Sequence, residues 1–350
     1  MNRAVRLALP SAAALLLVSL PLWANSGVVF LAGVTMTSAV FALSWNLLFG
    51  YTGLASFGSA GFFSIGAYVS AVLLREGYGP LFLLVVVLAG LAGAAVSWLV
   101  GALALRRSKG IHLAILTLAL AELLRITLSH TRWLGSEDGL PNIPRPTLSF
   151  GIASVDLAAG NAYYWFLCVA CGVLTAALWW IAHGRFGRVL RSIRQDPERA
   201  AFIGIDVHAC RLRAFTLSGG FGAAVGALYA PWSQIVTPDL GSMMHSTQPI
   251  LFTLIGGATS FWGPVIGAAA FAVIDFGTRT LVGISEIVTG SILLAVVLLA
   301  PHGLAGAWHR FAGARVRPDP DGNTPNRNTP NGKTAAGGAI TRPAMREGAW

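Results

Sequence analysis

Charge is what this sequence has least of. Only 11% of its 350 residues are Asp, Glu, Lys or Arg, where soluble domains carry about a quarter. With 55% hydrophobic residues and a mean hydropathy of +0.67, the chain is excluded from the soluble globular class. Cysteine is scarce as well, and Cys168, Cys171 and Cys210 make no disulfide framework. Cys168 and Cys171 form a C-x-x-C, but it lies in an apolar run with no second Cys or His pair to complete a zinc site. That leaves apolar packing as their role. No H-E-x-x-H occurs, and His112, His183 and His245 stand at the ends of apolar runs, so an intramembrane hydrolase has no support. A complete phosphate-binding loop is missing too. Gly332-Lys333-Thr334 ends like one, but Arg327 stands where its first glycine belongs.

What the chain does have is long apolar runs. Ten of them approach the roughly 20 residues that a hydrocarbon core requires: about 7–23, 28–49, 57–75, 80–105, 111–128, 161–183, 212–231, 245–260, 264–283 and 285–301. The expected fold is therefore all-α, a polytopic transmembrane bundle of about ten spans with Gly-rich helices that are broken or tightly packed. The 41 glycines suit it, because small residues let membrane helices approach closely. The first run has the outline of a signal peptide. Leu22, however, takes the place that needs a small residue for cleavage after Ala24, so it reads as an uncleaved span. Residues 1–304 form the membrane domain. The tail 305–350, rich in Asn, Pro, Gly, Thr and Arg, cannot bury a core and is expected to be disordered.

The net charge of +10 is a topology signal. With the N-terminus inside, only Arg75, Arg125, Arg132, Arg145 and Arg279 of the 24 basic residues fall outside or near the outer face. Both termini are then cytoplasmic, and nucleic acid drops out as a partner.

The longest polar stretch between apolar runs is His183–Arg213, with seven arginines. In its middle Asp196 suits an N-cap, Pro197 the first helical position and Glu198 the positive dipole end. Gly204 suits the left-handed stop. A two-turn helix held between two spans buries little of itself, which marks it as a docking element with Ala200 on its docking face.

Here the sequence resembles a known family. Gly187 to Ile205 carries G-R-x-L-R-x-I-R-x-D-x-x-x-A-A-x-x-G-I, which is similar to the cytoplasmic loop of LivM-type permeases, the membrane subunits of branched-chain amino acid ABC importers. Gln195 and Pro197 depart from it, where acidic residues are common. The stretch Gly50–Leu73 resembles the family's G-x-x-S-x-G-x-A-x-F-x-x-x-G-A-Y pattern at Gly53, Ser56, Gly58, Phe62, Gly66, Ala67 and Tyr68. Thr117, Leu118, Ala121 and Glu122 resemble T-L-x-x-A-E. The outer-loop segment WLGSEDGLPNIPRP resembles G-x-D-G-L-x-x-I-P. Gly256, Gly257, Gly263, Pro264, Gly267 and Ala268 match a glycine-rich run that this chain leaves at Ala258 and Ser260–Trp262. The S-F before a glycine at both glycine-rich stretches hints at a repeat of spans two to four and eight to ten.

The resemblance implies a permease rather than an enzyme, in the bacterial inner membrane and surrounded by lipid. It implies a periplasmic solute-binding protein at the outer mouth, a second, LivH-type permease, and two ATP-binding subunits at the loop 184–211. No cofactor is implied for this chain, since the partner subunits bind ATP. The coupling residues would be Gly187, Arg191, Ile193, Arg194, Asp196, Ala200, Ala201, Gly204 and Ile205. Pathway lining would fall to Gly53, Ser56, Gly58, Phe62, Gly66, Tyr68, Thr117, Glu122, Gly256 and Gly257, with helix packing the alternative for the glycines. Glu122 is either a substrate contact or an ion-pair partner of Arg125, one turn away, and Asp275 with Arg279 repeats the pattern. Substrate class stays open between branched-chain amino acids and the urea or short amides that LivM-like permeases also serve. A stand-alone secondary transporter would need ion-coupling residues near the midplane, and these acids sit toward the outer ends beside arginines.

Overall fold

The fold is built around a helix that a hydropathy scan undervalues. In the computed structural model, which describes residues 17–107, 110–150, 153–158, 160–278, 288 and 290–291, ten α-helices follow in order. They are α1 Ser26–Thr52, α2 Ser59–Arg75, α3 Phe82–Arg107, α4 Ile111–His130, α5 Ala162–His183, α6 Arg185–Gln195, α7 Pro197–Phe202, α8 Val207–Ser233, α9 Met243–Gly256 and α10 Gly263–Thr278. Among the described residues α1, α3, α4 and α5 are long and apolar enough to cross a membrane, and α2 and α10 are shorter apolar helices. The all-α membrane bundle is thus present. Most of the first expected span, nearly all of the tenth, Arg279 and the tail 305–350 lie outside the described residues.

Helix α8 lies at the centre and packs most extensively against α3, α2 and α1. It starts at Val207, five residues before the expected 212, because the Asp206 carboxylate accepts the Ala209 amide and caps it there. Its buried face is mostly Gly and Ala, and that composition sets the packing distance. A Cβ on Gly66 of α2 would overlap the Ala223 carbonyl, and one on Gly226 would overlap the Phe63 carbonyl. Ser97 of α3 fills the notch at Gly219, and its hydroxyl donates to the Thr216 carbonyl at 3.2 Å. Contact this close replaces the hydrophobic drive that apolar helices lack in lipid.

The two ends of the bundle differ. One carries α6 and α7. The other carries two small antiparallel pairs, β1 Leu140–Pro141 on β4 Ile235–Val236 and a hairpin of β2 Thr147–Phe150 with β3 Ala153–Asp156. The long loop between α4 and α5 is therefore partly ordered as strand, which its turn-forming composition did not announce. Its G-x-D-G-L-x-x-I-P segment is fastened to the chain after α8 through the Ile143 amide and the Gln234 carbonyl, 3.1 Å apart.

The α2–α8 crossing gives a direct test. Gly226→Ala should destabilise the purified protein by about 1–3 kcal/mol through overpacking. Gly172→Ala on α5, where a Cβ meets nothing within 4 Å, should leave it unchanged or slightly more stable. Thermal unfolding in detergent reads the difference.

Candidate functional site

Two helices are broken, and the breaks organise the site. At the first, α1 ends with Gly53 in the left-handed region (φ 74°), and residues 53–58 run back alongside α1 before α2 begins. The indole of Trp45, two turns before the end of α1, donates to the Ser56 carbonyl at 2.8 Å. The Phe57 amide donates to the Thr117 hydroxyl of α4 at 3.2 Å, and Gly58 lies against the Thr117 carbonyl. The Ser56 hydroxyl accepts the Gly58 amide at 3.3 Å. Irregular backbone inside a membrane bundle needs such partners for every freed amide. Helix α2 therefore starts about 10 Å inside the level where α1 ends, by the rise of the seven residues from Trp45 to Thr52.

The second break is between α9 and α10. Gly257 sits at φ 103°, and Gly256 and Gly263 are in backbone contact across the turn. Helix α9 has only 14 residues, about 21 Å, too short for a 30 Å core. It begins deep in the bundle, where the Ser246 hydroxyl accepts the Ala60 amide in the first turn of α2 at 3.2 Å. The amino ends of two short helices thus meet there.

Both breaks are tied to the arginine-rich loop. Helix α6 is amphipathic, with Gly187, Leu190 and Ile193 buried, Arg185 and Arg188 directed outward, and Arg191 and Arg194 beside the buried face, where they reach into the chain. Gly187 packs on the Ala182 backbone. Arg191 donates to the Gly187 and Ala182 carbonyls, each at 3.3 Å, and its guanidinium stands 5.6 Å from the Tyr51 ring centroid. Arg194 donates to the Gly50 carbonyl, and its stem lies 3.5 Å from where a Gly53 Cβ would be. The Ala258 carbonyl of the second break also closes on Gly50. Gly53, Arg191, Arg194, Gly256 and Gly257 therefore gather at one end.

Helix α7 has the local structure its residues dictate. The Asp196 carboxylate accepts the Glu198 and Arg199 amides at 3.0 Å and pairs with Arg199 at 2.8 Å. At the other end Gly204 has φ 85°, its amide reaches the Ala201 carbonyl and that of Ile205 reaches Ala200, which closes a Schellman turn. Ala200 faces the chain's own fold at 3% exposure. Ala201 is exposed, and the apolar surface α7 offers is Phe202 at 89% and Ile203 at 75%. The sequence reading missed those two. Their signal was two large apolar residues at the end of a helix too short to bury them.

Of the remaining expected residues, Tyr68 and Glu122 lie toward the hairpin end, while Phe62 lies against the first half of α8. Phe62 packs edge-on to Phe215, centroids 5.7 Å apart. Tyr68 is buried with its hydroxyl unpartnered. Glu122 is in an ion pair with Arg125 at 2.6 Å, and Arg125 also approaches Asp239 at 4.0 Å. Beside them is a cavity of about 500 Å³ lined by Thr237, Asp239, Leu240, Ser242, Met244, His245 and Gln248, none of which the sequence reading singled out as a site.

Thr117 gives the site's own test. Thr117→Val keeps the shape of the side chain but leaves the Phe57 amide without its acceptor, at a cost of about 1–3 kcal/mol. Hydrogen exchange over residues 53–58 should accelerate about tenfold or more, with α8 unaffected.

The chain was compared with known proteins. It is 29% identical to the high-affinity branched-chain amino acid transport system permease protein LivM of Escherichia coli (strain K12), over 83% of this chain and 72% of that protein. It is 25% identical to the LivH permease protein of Salmonella typhimurium, over 78% of this chain and 93% of that one. It is 21% identical to the probable branched-chain amino acid transport permease protein LivM of Methanocaldococcus jannaschii, over 76% and 89%. No solved structure matches it. Residues 27–301 match the family described as branched-chain amino acid transport system / permease component, and the chain belongs to that family.

Proposed function

We propose that this permease is one membrane subunit of an ATP-driven importer for branched-chain aliphatic amino acids. A LivH-type second permease completes its pathway, two ATP-binding subunits drive it, and a solute-binding protein feeds it. The observation that carries the reading is the way α6 and α7 are built. An exposed apolar knob, Phe202–Ile203, is joined through Arg191 and Arg194 to the end of broken α1, so a push on the knob reaches both breaks. Partner and substrate are carried over from the relatives, whose names specify branched-chain amino acids rather than urea or amides. A stand-alone secondary transporter is disfavoured, because Glu122, the acid best placed to couple an ion, is held by Arg125.

On this reading the chain sits in the inner membrane with α6–α7 in the cytoplasm and the hairpin end outside. The pathway follows the breaks past Ser56, Gly58 and Thr117. Residues 1–304 are its membrane domain, and 305–350 are a cytoplasmic tail.

Orientation is checked by labelling. A cysteine at exposed Glu137 should react with an impermeant maleimide in intact cells, and one at exposed Glu198 only after permeabilisation. The reverse pattern would overturn the topology.

Coupling is checked in the reconstituted importer. Phe202→Asp puts a charge on the knob without touching the fold. Gly204→Val forces a β-branched residue into the left-handed region. Both variants should insert normally and lose uptake by about tenfold or more, the effect of losing at least 1.4 kcal/mol of coupling. The ATPases should fail to co-purify or should hydrolyse without transport. Wild-type uptake by correctly inserted Phe202→Asp protein would refute the proposal. Ala200→Arg is a poorer probe, since Ala200 is buried in the chain itself.

A further inference from the structure

The cavity at the amino end of α9 has no role in the coupling described above, yet its walls are chemically specific. Asp239 offers a carboxylate whose side chain is 84% exposed, at the 4.0 Å limit from Arg125, while Arg125 is engaged by Glu122 at 2.6 Å. The local balance of these three groups leaves one negative charge unspent. On the other side α9 begins, and the first turn of a helix has backbone amides without intrahelical acceptors at its positive end. The Ser242 hydroxyl takes one of them, that of His245, at 3.3 Å. The amino end of α2 points into the same neighbourhood through Ala60 and Ser246.

A second observation is independent of the helix end. His245 lines the cavity, with its ring stacked at 5.8 Å on Phe41 and tilted at 5.0 Å to Phe63. Its Nε2 is buried and meets no hydrogen-bond partner in the chain. A buried polar atom left unmatched costs free energy comparable to a lost hydrogen bond. The ring that carries it lines a space roomy enough for a small solute. Leu240 and Met244 supply the apolar part of the wall, and a thioether adapts to aliphatic shapes.

We propose that this cavity is a binding subsite for a zwitterionic aliphatic amino acid. The ammonium group lies at Asp239, the carboxylate lies at the first turn of α9 beside His245, and the side chain lies against Leu240 and Met244. The subsite rests on the import reading but is tested separately from it. A carboxylate at the amino end of a helix that starts within the membrane has the electrostatics of substrate sites in discontinuous-helix transporters. A neutral amide would use neither the Asp239 charge nor the helix dipole.

The experiment uses the full-length chain in nanodiscs with its partner permease, with Cys168, Cys171 and Cys210 replaced. A cysteine at Thr237, or at Gln248 should the first variant fold poorly, is labelled with a hydrophilic maleimide. Millimolar leucine should slow labelling severalfold. Isoamylamine, 4-methylpentanoate and acetamide, which lack the carboxylate, the amine and both, should not. His245→Leu and Asp239→Asn should each abolish protection by leucine while the two permeases still co-purify. Equal protection by leucine and its one-group analogues, protection by acetamide, or no protection at all would overturn the subsite. If any of these occurs while the assembled wild-type importer still takes up leucine, only the subsite falls. Loss of uptake in the wild-type assembly would sink the import reading instead.

Discussion

The constraint on which this structure depends is that helices broken inside a membrane must find a partner for each backbone group the break releases. The chain meets it with a few side chains placed far apart in sequence. Trp45 and Thr117 hold 56–57, Ser246 holds Ala60, and Arg194 takes the Gly50 carbonyl at the end of α1. Because the partners come from α4, α6 and α9, each break is also a joint between helices. Geometry that looks like a local defect is therefore what connects the arginine-rich loop to the interior.

Close backbone packing makes the breaks tolerable. Helix α8 presents Gly219 and Gly226 to α3 and α2, and Gly66 answers from α2. With no room for a Cβ, the frame at these crossings gives little. Displacement is then concentrated where hydrogen bonds rather than interlocked backbones hold the chain, at 53–58.

Some of this is legible in the sequence. The glycines and serines of 50–66 left a break and tight packing both open, whereas Asp196-Pro197-Glu198 with Gly204 announced α7, since caps and left-handed turns are local chemistry. Helix α6 was legible in principle from Phe186, Leu190 and Ile193 at helical spacing, but the arginines around them read first as a topology signal. Non-local facts were hidden. Which face of α7 is free depends on what α6 and α8 cover, so Ala200 was assigned outward although Phe202 is the exposed residue. Helix α9 was expected as a membrane span over 245–260. The chain before it dips into the bundle, bringing Gly241 against Ser64 and Arg125, and hydropathy carries no record of that. The cavity beside His245 was invisible for the same reason, because its walls are assembled by the dip.

The short length of α9 has a mechanical consequence. Its amino end borders the cavity, and its carboxyl end carries the Gly256–Gly257 turn, which reaches Gly50 beside Arg194. One rod of about 21 Å thus joins a solute-sized space to the joint that α6 grips. A rod cannot transmit a signal unless its ends have two arrangements to choose between. At the carboxyl end the choice is available, since Gly257 takes a conformation that L side chains rarely adopt and the turn is closed by contact with Gly263 rather than by a long hydrogen-bonded ladder. At the amino end Ser246 bonds to α2 and the Ser242 cap bonds within α9, so a tilt of α9 would break the first bond and spare the second. On the proposed reading this asymmetry lets the loop move the floor of the cavity without unfolding the helix that forms it.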